Sequence, residues 1–400
     1  MSVEMKDEYD VVVVGGGPSG AMAAKFAALG GASVLLIEKR QEIGTPIRCA
    51  EGVGLKDMDR FLDLQPRHIS QNISGATIYA PDGTALKLRA KEGEIAGYIL
   101  ERKVFDRSLV ESAAKAGADV FTKSSATSLI MEKDTVVGVK ISRLDVEKEI
   151  RCKIIIGADG VESKVGRWAG LCPAIKLKDI ESGVQFLMTD IDIDSENIEF
   201  FMGNQYAPGG YVWIFPKGKD RANVGIGLLG SKIKDGGRPI DYLNEFVKKR
   251  FPDGKIAEIN YGGVPVSGGL EKMYGKGIML VGDAAQCTDP ITGGGIKSGL
   301  WSGELAGKVA ADAVKSGNWS EKALSKYQHD WEKLYGKPMR VNLVLKDYYV
   351  DMTDEEANKL AHELAKHDFT GVMEVPDLVK ILSKVDKKLL LKLGAAYVGF

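Results

Sequence analysis

Tyr9-Asp10-Val11-Val12-Val13-Val14-Gly15-Gly16-Gly17-Pro18-Ser19-Gly20 runs a buried strand straight into a glycine turn, and Pro18 to Leu29 then carries the small and apolar spacing of a helix packed on a sheet. The pattern G-x-G-x-x-G thus sits between a strand and a helix, where it has a mechanism. Gly15 permits the tight turn, Gly17 lets backbone approach a pyrophosphate, and Gly20 brings helix close to strand, while the unpaired N–H groups of the helix start face the phosphates. Ser33 to Ile37 reads as the next strand, and Glu38 closes the unit. A carboxylate there accepts hydrogen bonds from an adenosine ribose and repels a 2'-phosphate, so FAD or NAD fits better than NADP.

The totals bound the rest. Four hundred residues exceed the usual size of a single core, and 44% hydrophobic content fills more than one interior, so two or more domains are expected. Net charge is -1, which removes any general attraction to nucleic acid. Cys49, Cys152, Cys172 and Cys287 lie far apart with no C-x-x-C pair, which suits a reducing compartment and implies no metal centre. No apolar run reaches the roughly twenty residues that cross a bilayer, and the expectation is a cytoplasmic protein, neither secreted nor membrane-spanning.

Along the chain, Ile99 to Gly117 reads as a helix with Leu100, Val104, Leu109 and Ala113 on its buried face. Three strand-like segments, Ala126 to Met131, Val136 to Ser142 and Glu149 to Ile156, suggest an antiparallel meander that ends in Gly157-Ala158-Asp159-Gly160. From about 175 to 270 the pattern is of strands: Val184 to Ile193, Ile198 to Met202, Tyr211 to Pro216 and Ala222 to Leu228, with a turn at Lys217-Gly218-Lys219-Asp220. The hairpin Ala76 to Leu88 is expected to join this second sheet. A further buried strand, Gly277 to Asp283, precedes the glycine loop Thr292 to Gly295 and a helix from Ile296 to Val314, and beyond Ser320 the reading is helical.

Three chemical-looking patterns have blander readings. Gly225-Ile226-Gly227-Leu228-Leu229-Gly230 repeats G-x-G-x-x-G, but the polar stretch after it cannot open a packed helix, so it reads as a strand end. His362 and His367 are five positions apart and cannot share an ion from one helix face. Lys380, Lys384, Lys387, Lys388 and Lys392 interleave with Ile381, Leu382, Val385, Leu389, Leu390, Leu391 and Leu393 as an amphipathic packing helix, with contact to anionic lipid as the other reading.

A single dinucleotide turn, Gly157-Ala158-Asp159-Gly160 after a meander, and a late strand ending in Gly282-Asp283 together resemble the FAD-binding fold of the para-hydroxybenzoate hydroxylase superfamily over nearly the whole chain. Within it, Gly210-Tyr211-Val212-Trp213-Ile214-Phe215-Pro216 with Val224 to Gly227, and Arg48-Cys49-Ala50-Glu51-Gly52, are similar to the signatures of the geranylgeranyl reductases, nearest their archaeal branch. The resemblance implies a mixed α/β fold. Its Rossmann-type FAD domain would span 1–72, 99–174 and 275–335, an antiparallel-sheet substrate domain 73–98 and 175–274, and a helical region 336–400. It also implies that Ser19 and Glu38 contact the adenosine end of FAD and Ala126 the adenine. Cys49, Ala50 and Gly52 would lie along the flavin, Arg102 would reach the ribityl and phosphate region, and Asp283 would hold the ribityl hydroxyls. Gly295 and Ile296 would start a helix that stabilises the negative pyrimidine edge of the reduced flavin.

The activity so implied is saturation of isolated C=C bonds in geranylgeranyl chains of an archaeal ether phospholipid. Hydride addition to such a bond leaves an unstabilised carbanion, so an acid must face the alkene opposite the flavin. Candidate donors are Cys49, Tyr206, Tyr211 or a water they orient. Tyr211, Trp213 and Phe215 alternate on one strand face as an aromatic wall for a prenyl chain, and the resemblance suggests lipid contact near Lys337 and Val372. A nicotinamide, a ferredoxin or another reduced carrier would supply electrons, with peripheral contact at a membrane. Rival readings are a flavin monooxygenase or halogenase on the same fold, a reductase of chlorophyll side chains, and a prenyl-lipid carrier.

Overall fold

The computed structural model describes residues 4–233, 236–370, 389, 392–393 and 395–396. The opening unit forms as its sequence dictates. Strand β1 (Glu8–Val14) is sealed from Val11 onward, helix α1 (Pro18–Leu29) starts on a proline, and β2 (Val34–Ile37) pairs parallel to β1 with Val11 opposite Val34. Proline is favourable there because its missing N–H is one the first turn leaves unpaired anyway. Next come β3 (Gly52–Gly54), the short helix α2 (Met58–Phe61), β4 (Ile69–Ile73), β5 (Gly75–Tyr79), β6 (Ala85–Arg89) and β7 (Gly97–Leu100).

Helix α3 spans Arg102–Lys115, so the helix expected from Ile99 starts three residues later. Gly97 to Leu100 is instead the middle strand of a three-stranded sheet, between β3 and β4. A four-residue apolar run reads equally well as either element, and here two pairing partners decide it.

The meander is β9 (Ser124–Glu132), β10 (Thr135–Arg143) and β11 (Val146–Gly157), following β8 (Asp119–Phe121) and followed by the short helix α4 (Lys164–Trp168). The far half of β11 leaves the meander to run parallel to β1, Tyr9 opposite Cys152 and Val14 opposite Gly157, which delivers Gly157 to Gly160 beside the glycine turn.

The second sheet contains β12 (Ile180–Thr189), β13 (Asn197–Met202), β14 (Tyr211–Pro216) and β15 (Ala222–Leu229), then, after helix α5 (Pro239–Arg250), β16 (Lys255–Pro265). Its order is β16-β12-β15-β14-β13-β5-β6, so the hairpin joins it as expected. Strand β12 begins four residues earlier than its apolar pattern suggests. Ile180 to Gly183 are held between β15 and β16, while Asp190 turns the chain with φ 58°. Strand β16 was not expected from sequence. It is an edge strand whose Ile259 and Tyr261 face solvent, so it carries no buried alternation to read.

The chain returns to the first sheet with β17 (Tyr274–Gly275) and β18 (Ile278–Leu280), giving a parallel centre β18-β11-β1-β2-β8. Helix α6 (Ile296–Ser316) then packs on α1, with Gly303 and Gly307 against Met22 and Phe26. The described residues after Ser320 are mostly helical: α7 (Glu321–Trp331), a π-type turn Glu332–Gly336, α8 (Lys337–Val350) and α9 (Asp354–Leu364). The exception is β19 (Phe369–Thr370), which pairs parallel to β6.

Gly225 to Gly230 does end a strand, as read. His362 bonds Asp82 of the hairpin at 2.8 Å. Of the lysine-rich segment, the described Leu389 and Leu393 are buried with Val341, and most of the rest, including Lys380, Lys384, Lys387 and Lys388, lies outside the described residues.

Candidate active site

One cavity of about 1340 Å³ is lined by the glycine turn after β1 at one end and by β12, β14 and β16 at the other. Pockets for a single ligand usually hold about 300–1,000 Å³, so this one has room for a dinucleotide and a second molecule together.

At the dinucleotide end, Gly15, Gly17, Ser19, Glu38 and Ala126 all line the cavity. Gly15 takes φ 114°, and a Cβ there would press on the backbone of Ala158, whereas a Cβ on Gly17 would meet nothing within 4 Å. The glycines divide their labour accordingly: Gly15 closes the turn, and Gly17 leaves open the approach to helix α1. Gly20 faces away from the cavity and allows α1 to sit on Gly15 and Ala158.

Glu38 is locked by the amides of Gly16 and Arg40, each 2.9 Å from one of its oxygens. Asp159 accepts from Val165 N at 3.0 Å through Oδ2, but its buried Oδ1 has no partner among the described residues, and burial pushes its pKa up. A buried acceptor without a donor is what a ligand hydroxyl or amide completes. The orphaned Asp159 oxygen and the open Gly17 face fit an extended dinucleotide such as FAD.

The middle of the cavity is built around the loop Cys49-Ala50-Glu51-Gly52. Glu51 takes φ 76° and is 1% exposed. Its carboxylate accepts from Lys217 Nζ at 2.6 Å, Asn223 Nδ2 at 2.7 Å and Arg102 N at 2.9 Å. Lys217, read from sequence only as part of a turn, is 6% exposed and also reaches the Leu100 carbonyl and Glu101. A buried pair of this kind persists only when every polar atom is satisfied, and these four donors and acceptors satisfy one another.

The loop's carbonyls are held as well, Cys49 O by Gln185 Nε2 and Ala50 O by Asn223 Nδ2, both at 3.2 Å. Arg102 forms a two-pronged ion pair with Asp106 at 2.7 and 2.8 Å and faces Cys49. Burial pushes the Cys49 thiol up and outweighs the pull of that guanidinium, so Cys49 stays protonated at neutral pH. Asp283 accepts from Thr288 Oγ1 at 3.0 Å, burial raises its pKa, and the start of α6 at Gly295 and Ile296 borders the same space.

Tyr211, Trp213 and Phe215 all line the far end, from alternate positions of β14. The Trp213 indole lies over Gly225 and donates to Gln185 Oε1 at 3.0 Å, and Phe215 packs on Gly52, so the wall and the Cys49 loop share side-chain contacts. Gly225 and Gly227 thereby acquire a purpose: they clear floor for the indole. Tyr211 donates its hydroxyl to the carbonyl of Thr292, in the loop ahead of Gly295.

Other expected residues fall elsewhere. Tyr206 packs against Phe201 and Phe246 in the core behind the sheet and does not line the cavity, so it is no donor to a ligand there. Lys337 begins α8 and is not among the cavity-lining residues, and Val372 lies outside the described residues. Glu51, Lys217, Asn223, Gln185 and Glu181 were missed. The signal for the last two was a polar residue at every fourth position, on one face, in an otherwise buried strand.

Residues 179–264 match a family model described as the geranylgeranyl reductase catalytic domain, and residues 10–185 match one described as FAD dependent oxidoreductase. The chain is 50% identical to digeranylgeranylglycerophospholipid reductase 2 of Methanococcoides burtonii, over 96% of this chain and 95% of that one. It is also 50% identical to the digeranylgeranylglycerophospholipid reductase of Methanosarcina mazei, over the same shares. Among solved structures, a geranylgeranyl bacteriochlorophyll reductase-like protein from Thermoplasma acidophilum superposes with TM-score 0.93 at 36% identity, covering 98% of this chain and 99% of that one. A flavin-dependent brominase shares the fold at TM-score 0.69 and 18% identity, covering 98% of this chain and 94% of that one.

Proposed function

From the premise that this chain belongs to the digeranylgeranylglycerophospholipid reductase family, we infer how its cavity carries out an FAD-dependent saturation of geranylgeranyl chains on a glycerophospholipid. One observation carries the reading: the glycine turn, the Cys49 loop and the aromatic wall border a single continuous cavity. The dinucleotide would be held by Gly15, Gly17, Ser19 and Glu38, with Asp159 beside the glycine turn, Ala126 near its adenine, Arg102 and Asp283 along its ribityl and phosphate stretch, and Cys49, Ala50, Gly52, Gly295 and Ile296 around its ring. Bound FAD, in its reduced form, supplies the hydride.

The chain's own residues do the rest. Tyr211, Trp213 and Phe215 bury the prenyl chain and exclude water from the reacting bond. Gln185 ties that wall to the Cys49 loop, so the alkene and the ring are held in one fixed relation, which lowers the barrier by orienting the reacting atoms in advance. Cys49 keeps its thiol proton next to the ring.

No described helix is long and apolar enough to cross a membrane. The lipid would be met at the rim, where the exposed Ile95, Trp168 and Tyr261 (60% exposed) line the opening. Electrons would arrive from a nicotinamide, a ferredoxin or another small reduced carrier, which stopped-flow bleaching of the yellow cofactor with each candidate distinguishes.

The test is anaerobic incubation of dithionite-reduced protein with a digeranylgeranyl phospholipid, followed by mass spectrometry. A gain of two hydrogens per double bond is expected. Oxygen incorporation or halogenation in air, without saturation, would replace this reading with the monooxygenase or halogenase one. Unaltered lipid bound to the protein would point to the carrier.

A further inference from the structure

Resting on that reading, we propose that Glu181 is the acid that protonates the double bond as the hydride is added. The geometry starts with the floor of the cavity. Across β14, β15 and β12, Trp213, Gly225 and Gln185 form one rung and Tyr211, Gly227 and Gly183 the next. Glu181 lies one rung further along the same face, about 13 Å from Gln185 at the usual rise of a strand.

Gly227 and Gly183 leave the floor bare between these groups. A Cβ on Gly227 would fall 2.7 Å from Glu181 Oε2 and 3.7 Å from the Trp213 ring, so the carboxyl lies beside the indole over that gap. Glu181 is 8% exposed, lines the cavity, and has no hydrogen-bond or ion-pair partner among the described residues.

A carboxyl in that setting differs from the other acids beside the Cys49 loop and the aromatic wall; Asp159, the other carboxyl with an unpartnered oxygen, lies at the glycine turn. Asp283 accepts from Thr288, Glu51 from three donors, and the Tyr211 proton is committed to the Thr292 carbonyl. The Glu181 proton is committed to nothing. Of the groups that face it, Lys346 and Tyr349 come from α8 and Tyr211 from β14, while β15 and β16 present Gly227, Leu229 and Val264.

Burial pushes the Glu181 pKa up to about 7, with the Lys346 ammonium pulling the other way. Lys346 is itself buried, spending its hydrogen bonds on the Val266 carbonyl and Asp347. Cys49 and Tyr211 are both pushed above their ordinary values by burial and are weaker acids at the pH of the cell.

The step balances. The π bond breaks, one carbon takes the hydride from the reduced flavin, and its neighbour takes the proton from the Glu181 O–H. The flavin is left oxidised by two electrons, and Glu181 is left as a carboxylate facing Lys346 until water returns a proton.

Glu181→Gln keeps the shape and removes the acid. It is expected to retain FAD and its rate of reduction by dithionite, to lower kcat for prenyl saturation about 100-fold or more, and to abolish the fall in wild-type kcat above about pH 7. Glu181→Asp should keep that pH limb. Infrared difference spectra of the wild type should show a protonated carboxyl band near neutrality that is absent from Glu181→Gln.

An unchanged kcat, a rise in KM alone, or a lost kcat with the pH limb intact would overturn the proposal. If the wild type saturates no prenyl chain, the proposed function fails by itself. The infrared titration then stands alone, and a carboxylate already ionised at about pH 6 overturns the role of Glu181.

Discussion

Gly225→Ala should unseat the indole of Trp213. A Cβ at that position would lie 2.7 Å from the indole Nε1 and closer still to two of its ring carbons. Carbon atoms rest about 3.5–4.0 Å apart, so the ring must retreat by about 1 Å. Retreat costs the overpacking strain of a filled site, about 1–3 kcal/mol, and the indole bond to Gln185, about 1 kcal/mol. A loss of about 2–4 kcal/mol in unfolding free energy is expected, read by urea denaturation of the holoprotein.

Because Gln185 also holds the Cys49 carbonyl, prenyl saturation should fall with it while the yellow cofactor stays bound. Trp213→Phe placed in the Gly225→Ala background should restore stability, since the smaller ring clears the new methyl. A Gly225→Ala protein as stable as wild type, with unchanged tryptophan fluorescence and full turnover, would show that the glycine floor does not seat the indole.

Trp213→Ala is expected to abolish saturation of long prenyl chains without loss of FAD, as read by absorbance and lipid mass. Cys49→Ser should keep FAD and slow reduction of the alkene or of the flavin by orders of magnitude; an unchanged stopped-flow trace removes Cys49 from the mechanism. Lys217→Met strands the buried Glu51 carboxylate and should cost about 3–5 kcal/mol, much of it recovered in the Lys217→Met, Glu51→Gln double variant. Glu181 has a usual pKa of 4.5 raised in the fold to about 7. Its buried neutral form is free of penalty below 4.5, and stability is lost as pH rises from there through about 7, by about 3 kcal/mol in all. The stability of Glu181→Gln relative to wild type should therefore improve by about that amount between pH 4.5 and about pH 8.

The dinucleotide half of the cavity was legible because its physics is local. Gly15 to Glu38 places strand, turn, helix and acid within one short stretch, and each residue there acts where its neighbours in sequence put it. The aromatic wall was legible for the same reason, as three rings at period two on one strand.

The polar scaffold was not. Glu51, Lys217 and Asn223 belong to three segments, and nothing in Pro216-Lys217-Gly218 distinguishes a lysine sealed against a carboxylate from one in water. Tyr206 shows the converse error, an aromatic hydroxyl in a promising loop that the fold turns into the opposite core. Strand β16 escaped notice because an edge strand with Ile259 and Tyr261 outward buries too little to leave a pattern, and Ile99 because strand and helix compete equally for four apolar residues.

The segment bearing Cys49 is gripped by its main-chain oxygens, through Gln185 and Asn223, and by the one inward carboxylate of Glu51. The sulfur itself accepts from the amide of Glu51 at 3.2 Å, a bond internal to the same loop, and faces Arg102. Position 49 is consequently a tool in a fixed holder: apart from that one bond within the loop, the side chain there is exchanged without touching the grips on the main chain.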